Sequence, residues 1–95
     1  MTKLDPVHPG EILKEDFLVP LGLSARRFAE LVKVPPNRIT RLINAEVNVT
    51  ADTAFRLARA LRTTPDFWLN LQNAYDLQIV EDSGDYEDIV PIAAA

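Results

Sequence analysis

"PPNRITRLINAE", residues 35–46, opens with two adjacent prolines and continues with arginine and asparagine interleaved among aliphatic residues. The first proline of such a pair is pushed to an extended conformation by the second, and the second suits the first position of a helix, where a missing N–H costs nothing. Pro35 and Pro36 therefore mark a helix start. Behind them Ile39, Leu42 and Ile43 recur at i, i+3 and i+4, the spacing of one buried helix face. At about 100° per residue the opposite direction falls among Asn37, Arg41 and Asn44, with Arg38 and Thr40 on its flanks. No acid lies on that outer face. Arginine can fork to guanine, asparagine to adenine, and threonine can meet a polar base edge or the thymine methyl, so these side-chain types suit the reading of a DNA major groove.

The preceding stretch supports the same use. "SARRFAELVKV", residues 24–34, reads as a short helix capped by Ser24, with Phe28, Leu31 and Val32 at core spacing. Two short helices joined by a turn of three to four residues, the second polar and basic outside, form the helix-turn-helix pattern. Arg26 and Arg27 stand in the first turn of the earlier helix, where they are placed to meet phosphates, and Lys33 lies in the connecting turn. Phosphate contacts set register while base contacts specify sequence. Basic surface helices are common, so charge alone would be a weak indication. The spacing and the acid-free face carry the reading.

Working outward, the chain reads as all α, with five helices. "HPGEILKEDFLVPLG", residues 8–22, has His8 or its neighbour as cap, Pro9 at the first helical position, an apolar stripe of Ile12, Leu13, Phe17 and Leu18, and Pro20 with Gly22 as terminators. "TADTAFRLARALRT", residues 50–63, starts with Thr50 as cap and carries Ala54, Leu57, Ala58 and Leu61 on one face. "TPDFWLNLQNAYDL", residues 64–77, starts with Thr64, Pro65 and Asp66. Phe67, Trp68, Leu69, Leu71, Ala74, Tyr75 and Leu77 wrap more than one face of it, leaving two uses open: closure of the core by Phe67 and Trp68, or contact with a partner. Residues 79–95 read as an extended acidic tail in which "YEDIVPI" alternates enough to pair as an edge strand or lie in the groove of a second chain.

A chain of 95 residues accommodates one modest core, here divided as a helix-turn-helix domain over 1–78 and a tail over 79–95 for dimerisation or partner contact. The net charge of −4 hides an uneven distribution. Residues 24–62 hold eight Lys/Arg against three acids, whereas residues 63–95 hold seven acids and no base. Two surfaces of opposite sign are implied. With no cysteine, disulfides and thiolate zinc sites are excluded, and "MTKLDPVHPG" has no apolar signal core, so a cytoplasmic location is expected. No apolar run approaches the length of a membrane span. Catalysis finds no support: His8, the single histidine, abuts a proline at a helix start, and Glu11, Glu15 and Asp16 fit a solvated face better than a metal site. No catalytic residue, cofactor or metal is expected.

The stretch from "HPGEIL" through "FAELVKVPPNRITRLINAEVNVTADTAFRLARALRTTPDFWLNLQNAYDL" resembles the HigA family of antitoxins, also described as virulence-associated protein I, within the wider Xre/Cro-type helix-turn-helix class. The likeness covers about residues 8–77, and the pairing of "HPGE" with "FWLNLQ" is its most specific part. It implies a five-helix Xre/lambda-repressor-like domain. It also implies a homodimer that binds an inverted-repeat operator in its own promoter and neutralises a HigB/RelE-like, mRNA-cleaving toxin. The other function in view is an autonomous Xre-family repressor without a toxin. Carried over by position, Pro36, Asn37, Thr40 and Arg41 face bases, while Arg26, Arg27, Arg38 and Asn44 face the DNA backbone. Three positions depart from the pattern. Lys33 stands where the family usually has a turn glycine, implying either a strained left-handed residue or a different turn. Pro35 replaces a Ser/Thr cap, and Ala45-Glu46 replaces Gly-Lys.

Overall fold

A computed structural model of the chain describes residues 6–93. Residues 1–5, part of the segment searched above for a signal core, and the last two alanines of the tail lie outside the described residues. Among those described there are five helices and no strand: α1 (residues 9–21), α2 (Ala25–Val32), α3 (Pro36–Ile43), α4 (Ala51–Leu61) and α5 (Pro65–Ser83).

The local start signals act as expected. The hydroxyls of Ser24, Thr50 and Thr64 accept the N–H groups of Arg27, Thr53 and Phe67 at 3.0, 3.3 and 3.1 Å, satisfying donors that the first helical turn leaves unpaired. His8 is a buried cap rather than an exposed one, its Nδ1 accepting the Gly10 N–H at 2.9 Å.

Two boundaries differ from the sequence-based expectation. Pro20 does not end α1. The helix widens to π geometry over Leu13–Leu18 and resumes as Val19–Leu21. A proline lacks the N–H for the usual i−4 bond and its ring crowds that carbonyl, and the wider turn just before Pro20 relaxes both conflicts. Gly22, at φ 66°, then terminates the helix. Likewise, α5 runs past Leu77 to Ser83 before Gly84 turns left-handed at φ 71°, so residues 79–83, expected to belong to the tail, are helical. No proline or glycine interrupts residues 78–83, and the Gln78 amide donates to Asp82 at 2.9 Å one turn on. Residues 85–88 form a turn, with Ile89 N–H donating to Tyr86 C=O at 3.1 Å, and residues 89–93 take no regular structure and make no strand pairing in the single chain.

The core gathers Leu13 and Leu18 of α1, Phe28, Ala29 and Val32 of α2, Ile39 and Leu42 of α3, Val49, Ala54, Leu57 and Ala58, and Trp68 of α5. Trp68 is fully buried while Phe67 keeps 38% of its surface. Hence Trp68 closes the core and Phe67 sits at its rim. The indole N–H donates to the Thr63 hydroxyl at 2.7 Å, and Phe17 lies against the ring at 5.4 Å. Burying an aromatic of this size with its polar atom satisfied contributes roughly 3–5 kcal/mol relative to alanine.

Candidate nucleic-acid interface

The outer face of α3 is as the periodicity requires. Ile39 and Leu42 are buried, and Pro36, Asn37, Arg38, Thr40, Arg41 and Asn44 are all exposed. Three contacts hold the helix in place from behind. Gly10 approaches it backbone to backbone: a Cβ there would overlap the Leu42 carbonyl oxygen, lie 2.6 Å from the carbonyl carbon and 3.0 Å from the Ile43 Cα. His8 hydrogen-bonds the Val47 backbone just past the end of α3 and packs edge-on against Tyr75 at 4.9 Å. Farther on, the buried Gln72 of α5 accepts the Val49 N–H at 2.7 Å and donates to Asp76 at 2.9 Å. A buried amide left unpaired would be costly, so this side chain ties the loop after α3 to the long C-terminal helix.

Burial also governs His8. Loss of solvation pushes its pKa below 6.5, and the Val47 hydrogen bond and the Asp76 charge only partly oppose this. The ring is neutral, with Nδ1 engaged as an acceptor. Its role is architectural.

In the turn between α2 and α3, Lys33 adopts the left-handed conformation, φ 62° and ψ 48°. Its N–H bonds Glu30 C=O at 3.2 Å and the Val34 N–H bonds Ala29 C=O at 3.0 Å, the closure a glycine ordinarily provides. A side chain in this region costs about 1–2 kcal/mol. Arg56 of α4 compensates: its Nη1 donates to the carbonyls of Val32 at 2.8 Å and Lys33 at 3.3 Å, capping the end of α2. Ala45, just beyond α3, is likewise left-handed at φ 62°.

The polar side chains are not equally free. Asn37, Arg38 and Arg41 line a cleft of about 610 Å³ together with Pro35, Asn48 and Thr50. Pro36, Thr40 and Asn44 are exposed on the same helix but do not line it. The Thr40 hydroxyl donates to Pro36 C=O at 3.2 Å, so what it offers outward is its methyl group and lone pairs. Arg41 makes no ion pair among the described residues. Arg26 is exposed in the first turn of α2, whereas its neighbour Arg27 pairs with Glu30 at 3.0 Å. Arg38 pairs with Asp52 of α4 at 3.0 Å, and the same carboxylate oxygen accepts Arg56 Nε at 2.9 Å. The Arg56 hydrogen bond, outweighing a smaller desolvation and assisted by Arg38, holds the Asp52 carboxyl below the usual range. Asn48, Thr50, Asp52 and Arg56 were not singled out by the outer-face criterion. Asp52 and Arg56 are four apart and readable as a helical pair, but nothing local links them to Arg38.

The helix-turn-helix family model matches residues 13–68. Virulence-associated protein I of Dichelobacter nodosus is 41% identical over 93 residues, spanning 97% of this chain and 86% of the relative. Antitoxin HigA-1 of Vibrio cholerae is 49% identical over 76 residues, spanning 80% and 71% of the two chains. The chain belongs to the HigA family. Its fold also matches the solved structure of Pseudomonas aeruginosa antitoxin HigA with the higBA promoter, at TM-score 0.87 and 33% identity over 93% of this chain and 99% of that one. Against the usual HigA pattern, the substituted turn at Lys33 is accommodated by strain and an arginine cap rather than by a new turn. Pro35 caps α3 without a side-chain hydrogen bond, as its lack of a hydroxyl requires. Among the described residues no helix is long and apolar enough to cross a membrane.

Proposed function

We propose that this chain is the antitoxin of a type II toxin–antitoxin pair. It binds an inverted repeat in its own promoter as a homodimer and neutralises a HigB/RelE-like, mRNA-cleaving toxin. The observation that carries the DNA half is the exposed, acid-free face of α3, anchored from behind by Gly10, His8 and Gln72 in a chain that shares its fold with a promoter-bound HigA. Asn37, Thr40 and Arg41, with Pro36 at the helix start, face the base edges, and Arg26, Arg38 and Asn44 serve the backbone. Arg27 can do so only by leaving Glu30. No reaction is assigned to the chain, and it needs no cofactor.

The C-terminal third supplies the protein contacts. Seven acids and no base between residues 63 and 95 complement a basic, RNA-binding toxin and would speed its capture. Leu77, Ile79, Val80, Ile89, Val90 and Ile92 remain exposed, Leu77 by 68% and Ile92 by 96%, more apolar surface than a monomer usually leaves open on one segment. A second copy covers part of it in this reading. Two such copies would place their α3 helices in successive major grooves about 34 Å apart.

Co-expression with the product of each adjoining reading frame tests the antitoxin half. A small basic partner that copurifies, and that arrests growth when this chain is absent, is the expected result. Neighbours that neither bind nor harm the cell would leave an autonomous repressor. Deleting residues 80–95 should abolish toxin capture, and retained capture would remove the tail from the mechanism.

A further inference from the structure

The acid at position 52 is out of place on a surface meant for a polyanion. Its carboxylate lines the same cleft as Asn37, Arg38 and Arg41, where simple charge repulsion would weaken DNA binding. Its partners suggest why it is there. A single oxygen of Asp52 accepts Arg38 Nη1 from the first turn of α3 and Arg56 Nε from α4, and Arg56 in turn caps the α2 carbonyls of Val32 and Lys33. Carbonyl, guanidinium, carboxylate and guanidinium thus form one continuous chain from the left-handed turn to the start of the reading helix.

We propose that Asp52 is a positioning residue for sequence discrimination, holding the Arg38 guanidinium and the first turn of α3 in the pose that meets DNA. The proposal rests on the assignment of α3 as the DNA-reading helix. Arg38 spends only Nη1 on the carboxylate, so its remaining N–H groups stay available to a phosphate, a contact that sets the register at which its neighbour Asn37 meets a base edge, while the rotamer freedom of a long side chain has already been given up. Exposed ion pairs of this kind add little to folding stability: the side chains of Asp52 and Arg38 retain 59% and 42% of their surface. What the network does provide is orientation, and it links the α2–α3 turn to the α3–α4 cleft through side chains alone.

Positioning and repulsion predict different outcomes for the specificity ratio of Asp52→Asn, which repulsion leaves unchanged and positioning lowers. If Asp52 merely repels DNA, its neutralisation tightens binding to every duplex alike, as expected of Glu30→Gln, a control that removes the same charge from the Arg27 pair. If Asp52 positions, the ratio of affinity for the duplex immediately upstream of its own reading frame to that for a scrambled duplex of equal length falls by about tenfold, the scale of one good base contact. Both affinities are measured by fluorescence anisotropy on the full chain over a salt series, with the unfolding temperature of the free protein alongside. Arg56→Lys approaches the same chain from its other end and should also lower the ratio, whereas Asp52→Glu should recover part of it. An unchanged ratio in Asp52→Asn, or a drop matched by collapse of the fold while Arg56→Lys keeps full discrimination, overturns the proposal. Should the unaltered chain fail to discriminate between the duplexes, the DNA-reading assignment falls, and the positioning role with it.

Discussion

Alanine at position 10 places a methyl group where two backbones meet. Its Cβ would overlap the Leu42 carbonyl oxygen and stand 2.6 Å from the carbonyl carbon and 3.0 Å from the Ile43 Cα, against an ordinary contact distance of 3.4 Å or more. None of these neighbours is a side chain that can swing aside, so α1 and α3 must separate by roughly 1 Å, the kind of overpacking that costs about 1–3 kcal/mol. The better helix propensity of alanine returns at most about 1 kcal/mol. The net loss is about 1–2 kcal/mol, which for a domain of this size lowers the unfolding temperature by roughly 5–15 °C. Thermal melts followed by circular dichroism at fixed protein concentration measure it directly. Gly22→Ala is the comparison: φ is 66° there but nothing lies within 4 Å of the added Cβ, so only backbone strain of about 1 kcal/mol is expected. Because the Gly10 clash moves the reading helix while Gly22 is at the far end of α1, Gly10→Ala should also lose operator affinity out of proportion to its stability. A Gly10→Ala variant as stable as the parent would refute the claim that this close approach sets the position of α3.

Three further outcomes follow from the same contacts. Gln72→Leu strands the buried Val49 N–H and should reduce stability by about 1–3 kcal/mol, read from urea unfolding midpoints; an unshifted midpoint would mean the loop finds another partner. Ala45→Gly relieves a left-handed alanine and should raise stability by about 0.5–1 kcal/mol, the strain relieved less the extra unfolded-state entropy. The pH dependence has a definite sign. The folded-state pKa of His8 lies below its ordinary value of 6.5, so above that value the ring is neutral folded or unfolded and contributes no slope. As pH drops through 6.5 the unfolded chain takes up the proton first, and stability declines until the folded pKa is passed. His8→Asn, which retains a capping acceptor, should flatten that decline in denaturant midpoints between about pH 7.5 and about pH 5.

What could be read from the chain alone was local. Ser24, Thr50 and Thr64 cap where their position before an apolar repeat places them, and Ile39 and Leu42 face inward because an i, i+3 pair on a short helix has one core to meet. The outward set on α3 follows from the same geometry. What escaped was decided between distant residues or by cooperative adjustment. Pro20 looks like a terminator until a widened turn accommodates it, and α5 continues past Leu77 because nothing in residues 78–83 stops a helix already nucleated. Gly10 gives no local sign that its missing Cβ admits α3. Gln72 looks like a surface amide until the loop carrying Val49 folds over it. Arg38 and Arg27, both expected at the DNA backbone from the family resemblance, are engaged with Asp52 and Glu30, and only the first of those pairings crosses between helices.

The most direct measurement is hydroxyl-radical footprinting of the DNA immediately upstream of the reading frame, with the full chain and with Arg41→Ala. Protection of two patches related by symmetry and about one helical turn, roughly 34 Å, apart, lost on Arg41→Ala without loss of fold, is the expected result. Absent protection, or protection that Arg41→Ala leaves intact, would contradict the assignment of α3 as the helix that reads DNA.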